Sequence, residues 1–330
     1  MGTKSTRCAA SLALLFVLAW NCPAQDSGTI FPAVVATVNG DPVLGKELEA
    51  LVRRELSTIG NPEWKKLRGE YRSELVLGNM TALINSRLLY QKAAAAGVKV
   101  ADEELRAELK KIAATYKSEK EMNEALAREN TDRATFEKNV YRNLAASKYL
   151  EDAVNKKVAV SPEEIASYYS SRPEEFRHPD IVRTSQILIS FSENDHDAAA
   201  GRARDLLERL RKGEDFAALA REHSADSSSA ARGGDVGFAS ADGLPPEYSA
   251  AAFSLPVGEL ALVKTQHSYH IIKVTGKKEE GTFTLEEIRP ELHELLRARK
   301  YQEKLKEVID QLRETAEIEI LISASELLNP

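Results

Sequence analysis

Sulfur chemistry is almost missing from this chain. Its 330 residues hold two cysteines, Cys8 and Cys22, both near the N-terminus. Beyond Cys22 the sequence can form no disulfide, no thiolate metal site and no cysteine nucleophile, so its stability must come from packing. A basic field is missing as well: 45 Lys and Arg stand against 51 Asp and Glu, for a net charge of −6. Nucleic-acid binding rests on clustered cations, so that class is excluded. The two signs of charge are interspersed, as on solvated helix faces. Aromatic residues are few, at 6%, and after the N-terminus no apolar run reaches the length of a membrane-spanning helix.

What is present begins with a leader. Lys4 and Arg7 precede an apolar run from Ala9 to Trp20, and Cys22-Pro23-Ala24 follows. A positive segment, a short apolar segment and small residues predict a signal peptide over 1–24, cleaved after Ala24. Trp20-Asn21 ahead of Cys22 disfavours lipidation there, leaving a lipid anchor at Cys22 as the second reading. Cleavage removes Lys4 and Arg7 and no acid, which takes the net charge to −8. The expected location is exported, periplasmic or otherwise extracytoplasmic, with membrane proximity the only membrane involvement. A chain of this length predicts two domains.

Ala33 to Leu44 reads as a hairpin around Asn39-Gly40, a dipeptide suited to a type I′ turn, and Pro42 restricts its strand to an edge. From Gly45 to about Arg172 the pattern is helical. Met80, Leu83, Ile84, Leu88 and Ala95 predict one buried face, ended by Gly97. Asp102-Glu103-Glu104 opens a further helix, and Ser118 with Glu121 and Ser161 with Glu164 have capping-box spacing. The apolar faces are narrow and alanine-rich, so the helices are expected to be thin and elongated. At Arg177-His178-Pro179 the character changes. Ile181–Phe191 predicts a strand, Asp197–Lys212 and Asp215–His223 two helices, and Leu260–Lys264 with Ser268–Thr275 a hairpin. A Ser, Ala and Gly loop lies between them, and a polar linker is expected at Gly276–Gly281. A capped helix from Thr284 to about Ala316 and a strand at Ile318–Ile322 close the chain. That strand has no near partner, so it is expected to fold back on the N-terminal part.

The segment Gly213-Glu-Asp-Phe-Ala-Ala-Leu-Ala220, then Ser224-Ala-Asp226, Gly233-Gly-Asp-Val-Gly237, Ala252-Phe-Ser-Leu255, Gly258-Glu259 and Tyr269-His-Ile-Ile-Lys-Val274 closely resembles the parvulin domain. Ala36-Thr-Val-Asn-Gly40, Glu164-Ile-Ala-Ser-Tyr168 and Phe283-Thr-Leu-Glu-Glu-Ile288 are similar to the arms of SurA- and PrsA-type foldases. The resemblance implies an α+β architecture: a parvulin domain, a small antiparallel sheet with surrounding helices, inserted in an elongated, mainly helical SurA-like chaperone domain. The implied division is 25–177 for the N-terminal helical part, 178–277 for the parvulin domain and 278–330 for the completing helix and strand.

It also implies peptidyl-prolyl cis-trans isomerisation of unfolded or newly exported polypeptides. The barrier to rotation about an X-Pro bond is amide resonance, near 20 kcal/mol, so catalysis needs no covalent step and no cofactor. An apolar slot must grip the proline ring while polar groups stabilise the twisted amide. By resemblance the slot falls on Val236, Leu244 and Tyr248, and the polar centre on His270, Asp226 and Gln186, with His267 close by. Active parvulins carry a histidine where this chain has Gln186, and a glycine where it has Ser268. A glutamine still donates and accepts a hydrogen bond. The alternative is a parvulin-like holdase with weak or no turnover. Asn194-Asp-His-Asp197 looks like a metal cluster but lacks a further ligand at suitable spacing, so it reads as a solvated loop and no metal is expected.

Overall fold

The computed structural model describes residues 30–128, 131–192 and 195–322. The signal peptide expected at 1–24, with Cys22, lies outside the described residues, as does Asn194. The chain divides into two compact units. One is Ser161–His293; the other joins a segment ending at Val160 to one beginning at Glu294.

The discontinuous unit opens with β1 (Val34–Val38) and β2 (Asp41–Leu44). Asn39 and Gly40 take φ of 51° and 79°, the paired positive values of a type I′ turn. Helices α1 (Gly45–Ser57), α2 (Gly69–Ala95), α3 (Asp102–Ala113), α4 (Glu119–Arg128) and α5 (Arg133–Ala153) follow. Gly97, at φ 72°, stops α2 as its sequence requires. Met80, Leu83, Ile84 and Leu88 are buried, but Ala95 is exposed and Ala93 is buried in its place. Ala93 packs on Val100 and Ala145, so the apolar stripe drifts around the helix as its partners change. Glu121 takes the Ser118 hydroxyl on its N–H, yet its carboxylate accepts from Lys117 N–H, one residue earlier than a full capping box.

The continuous unit begins with α6 (Pro162–Ser170), whose Ser161 and Glu164 complete a capping box. Then come β3 (Arg177–His178), β4 (Ile181–Ser190), α7 (His196–Arg211), α8 (Phe216–His223), α9 (Ser227–Ala230), β5 (Asp235–Ser240), α10 (Pro246–Ser254), β6 (Leu260–Lys264), β7 (Ser268–Lys278) and β8 (Gly281–Thr282). Strands β5-β4-β7-β6 form an antiparallel sheet in that order. Strand β5 falls where a Ser, Ala and Gly loop was expected. Its side chains carry little strand signal, and pairing with β4 makes it a strand. Gly276–Gly281, expected to be a linker, instead holds the end of β7 and the start of β8. Lys277 and Lys278 pair with Val182 and Ile181, and Gly281 pairs with His178. Main-chain bonding overrides the polar composition there.

Helix α11 (Leu285–Thr315) and strand β9 (Ile318–Ile320) finish the chain. Thr284 and Glu287 cap α11 reciprocally. Strand β9 pairs antiparallel with β1, giving a sheet ordered β2-β1-β9 and placing Pro42 on an edge strand. Leu312, Ile318 and Ile322 pack with Val35, Val38, Leu48, Met80 and Ile84. Tyr301, Leu305, Val308 and Ile309 pack against a second cluster of Leu89, Ala146, Leu150 and Val154. The discontinuous unit therefore has several small cores, as its narrow helix faces predict, and two of them need the C-terminal segment.

Candidate active site

The four-stranded sheet has two different faces. Ile187, Ile189, Tyr269 and Ile271 point to one side, under α7 and α8, where Ala203, Leu206, Leu210 and Leu219 cover them. Alternation sends Thr184, Gln186, His270, Ile272 and Val274 to the other. On that side α10 packs Tyr248 and Ala252 against Val182, Val263, Ile272 and Val274.

Gln186 lies opposite Ile272 and His270 opposite Leu188, so the two polar residues are diagonal neighbours rather than a directly facing pair. The diagonal is short enough for contact: His270 Nδ1 is 3.0 Å from Gln186 Oε1. Gln186 Nε2 donates to Asp226 Oδ2 at 2.9 Å. Asp226 is the N-cap of α9 and accepts from Ser228 N–H and the hydroxyls of Ser228 and Ser229. On the far side of the imidazole, Nε2 is 3.0 Å from Ser268 Oγ and 3.1 Å from Thr265 Oγ1. One chain of hydrogen bonds thus crosses the sheet from α9 to the β6–β7 turn.

Gly233 and Gly234 set the near end of that chain. The carbonyl of Gly234 accepts from Gln186 N–H at 2.8 Å, and Gly234 holds φ 89°. A Cβ there would stand 2.6 Å from Gln186 O, so only glycine lets the loop close on this strand.

Tyr248 is 2% exposed, its hydroxyl is 2.8 Å from Thr184 Oγ1, and its ring meets His270 edge-on with centroids 5.4 Å apart. Leu244 is half-buried against the same apolar cluster. Val236 is half-buried on β5, between the pairs that Gly237 and Asp235 make with β4, and belongs to neither apolar cluster of the sheet. His267 is exposed in the β6–β7 turn. Its carbonyl accepts from Phe191 N–H, and its ring has no part in the network among the described residues. The structure therefore joins His270, Asp226, Gln186 and Tyr248, seats Leu244 beside them, and leaves His267 apart. Sequence reasoning passed over Thr184, Ser229 and Thr265 as contacts. Thr184 was within reach, because it lies two residues before Gln186 and strand alternation puts both on one face. His196, from the metal-like run, packs instead on Phe191 and reaches Tyr269 OH at 3.1 Å.

The electrostatics follow from burial and donors. Hydrogen bonds from Ser229, Ser228 and Gln186 hold the Asp226 carboxyl far below the usual range. Burial pushes His270 below its ordinary 6.5 and the Tyr248 phenol above its ordinary 10.0. The signs for His270 and Asp226 agree. As pH falls below 6.5 the unfolded chain protonates its histidine before the folded one does, so stability present above 6.5 is lost. Asp226 adds a second loss below 3.8. Thermal melts should therefore show the Ser161–His293 unit weakening between neutral pH and about 5, then again in stronger acid. A melting temperature flat across the first interval would contradict the buried neutral imidazole.

Known proteins match both parts of the chain. The sequence model of the PPIC-type PPIase domain matches residues 170–278, and that of the SurA-like N-terminal domain matches residues 6–150. The foldase protein PrsA of Caldanaerobacter subterraneus is 32% identical over 252 residues, covering 74% of this chain and 73% of its own. The chaperone SurA of Nitrosococcus oceani is 29% identical over 294 residues, covering 87% of this chain and 68% of its own. Among solved structures, PrsA from Bacillus subtilis matches 90% of this chain and 98% of its own, at 23% identity and a TM-score of 0.42. With two domain models and a PrsA relative in agreement, the chain belongs to the PrsA/SurA-like foldases that carry a PPIC-type peptidyl-prolyl isomerase domain.

Proposed function

We propose that the Ser161–His293 unit catalyses cis-trans isomerisation of X-Pro bonds in unfolded or newly exported polypeptides, while the helical unit supplies chaperone binding. The carrying observation is the juxtaposition of an apolar cluster with a polar chain at one place on the sheet. Tyr248 and Leu244 form an apolar wall beside His270, Gln186 and Asp226. A proline ring held against Tyr248 and Leu244, with Val236 at the rim, loses water from its amide, and resonance in a desolvated amide is weaker. The glutamine amide, which keeps a second N–H and a second carbonyl lone pair, then offers a donor and an acceptor to the twisted amide, and the imidazole holds it in place. No covalent step enters, and no cofactor is part of the proposal.

Gln186 stands where active parvulins have histidine, so turnover is expected to be modest. His270→Ala should reduce kcat/KM only about tenfold, roughly one hydrogen bond's contribution, because rotation about C–N requires no proton transfer. Gln186→His should raise it. A proline-isomerisation assay on short peptides with the full chain and both variants tests the reading. If the wild-type chain gives no rate above the uncatalysed reaction but still suppresses aggregation of an unfolded client, the holdase alternative replaces it.

The same reading places the chain outside the cytoplasm, with the leader at 1–24 removed after Ala24 and no lipid on Cys22. Among the described residues no helix is long and apolar enough to cross a membrane. Mass measurement of the exported protein should give an N-terminus at Gln25.

A further inference from the structure

Several features outside the apolar slot were candidates for a further role. The cavity of about 320 Å³ beside Arg202, Asp205 and Arg209 has its Arg209 guanidinium engaged by Glu214, and Arg202 faces Asp195. The exposed Phe238 has Arg183 and Lys278 over its ring, and both cations already pair with Asp235 and Glu287. The polar chain through His270 carries more, because its donors and acceptors can be assigned one by one.

Asp226 fixes the direction. Its carboxylate is ionised and only accepts, so the Gln186 group facing it must be the NH₂. Gln186 therefore turns its carbonyl to His270, and Nδ1 of the imidazole must carry a proton to donate to it. In the neutral ring Nε2 is then an acceptor and needs a donor. Two hydroxyls stand ready. Ser268 Oγ and Thr265 Oγ1 are both in reach of Nε2 and are 3.0 Å from one another. Thr265 Oγ1 also lies 3.2 Å from the Ser268 carbonyl. Each hydroxyl has a single proton. Ser268 donates to Nε2 while Thr265 donates to the Ser268 carbonyl or to the Ser268 hydroxyl, or Thr265 donates to Nε2 and Ser268 donates to Thr265. Each arrangement delivers an O–H to the imidazole and uses the Ser268 hydroxyl.

We infer that Ser268 is a positioning residue: with Thr265 it caps Nε2 and fixes His270 as the neutral, Nδ1-protonated tautomer. A chain running from Asp226 through Gln186 holds one edge of the ring, and the Ser268–Thr265 pair holds the other. The two departures seen in the sequence are thereby linked. Gln186 has no ring nitrogen to share a proton with His270, and Ser268, in place of glycine, supplies a second fixed contact. The charged group acting on the ring is Asp226, which favours protonation; Tyr248, edge-on to it, is neutral below its raised pKa. A hydrogen bond donated to Nε2 stabilises the neutral form against that pull.

The role in turnover rests on the isomerase reading; the tautomer does not. The test therefore has two readouts on the full chain with ¹⁵N-labelled histidine. Nitrogen shifts of His270 should report the Nδ1-protonated form at neutral pH. In the Ser268→Ala/Thr265→Val double variant the titration midpoint should move up and the Nε2 shift should change, while the Nδ1 proton stays on the Gln186 carbonyl; a Ser268→Thr chain, which keeps both hydroxyls, should titrate like the wild type. In the peptide assay the double variant should lose roughly threefold in kcat, less than His270→Ala, with KM little changed, because the slot is intact. Unchanged His270 shifts and midpoint in the double variant would overturn the inference. Altered shifts in a protein whose wild-type form shows no turnover would support the tautomer assignment and count against the isomerase reading.

Discussion

Leu244→Trp should abolish measurable proline isomerisation while leaving the chain folded. Leu244 is half-buried at the edge of the apolar cluster that holds Tyr248 and Ile272, immediately before Pro245-Pro246 and α10. An indole there fills the space in which a proline ring would lie against Tyr248. Catalysis of this kind depends on desolvating and gripping the amide, so a displaced substrate loses the whole effect. Misplacement by about 1 Å alone is worth on the order of 100-fold in rate. Because Leu244 is only half-buried, the indole occupies the slot from its open side without displacing the core behind it, and destabilisation should stay within the roughly 1–3 kcal/mol of an overpacked site. The measurement is kcat/KM on short X-Pro peptides, with the melting temperature of the same sample as control. A folded Leu244→Trp chain with wild-type activity would show that the proline ring binds elsewhere.

Removal of residues 294–330 should have the larger structural effect. The deleted segment supplies β9, the partner of β1, and the side chains of Leu312, Ile318 and Ile322 in the first core. It also supplies Tyr301, Leu305, Val308 and Ile309 to the cluster around Leu89 and Leu150. Arg297 bonds Asn155, Arg313 bonds Asn85, and Lys300 bonds the Ala159 carbonyl, so polar partners are lost as well. Exposing that much apolar surface leaves thin helices with little to bury. The truncated chain should lose the helical melting transition of the discontinuous unit, bind a hydrophobic dye, and keep a separate transition from Ser161–His293. Retention of both transitions would show that the N-terminal helices are stable without their C-terminal complement.

Much of this architecture was legible because local signals and tertiary packing agree. Asn39-Gly40, Gly97, Ser161 with Glu164, and Thr284 with Glu287 mark turns and caps that exist for backbone reasons independent of context. Strand β5 was not legible. Gly237 interrupts it, and its strand character comes from β4, more than forty residues away in sequence. Helix α10 was hidden in the same way, since Pro245-Pro246 reads as a break until Pro246 is seen at a helix's first turn. The polar centre was legible through the resemblance, which put Gln186, Asp226 and His270 on one list. Their order as a chain, and the hydroxyls of Ser229 and Thr265 that complete it, depend on strand register and on a turn conformation. His267 shows the opposite error: proximity in sequence to His270 suggested a shared site, while the turn directs it to solvent.

The pairing of β1 with β9 has a consequence for the order of folding. Asn39 bonds Glu317 through both its main-chain N–H and its side chain, across 278 residues of sequence. A chain emerging from its N-terminus exposes β1 and β2 well before their third strand, which follows only after the whole Ser161–His293 unit. The Ser161–His293 unit is continuous in sequence, so it can close as soon as it has emerged. Its closure draws in the span that separates β1 from β9 and lowers the entropy lost when they meet. The Ser161–His293 unit should thus be the folding nucleus of its own carrier, with the helical unit remaining an open, client-like chain until β9 appears.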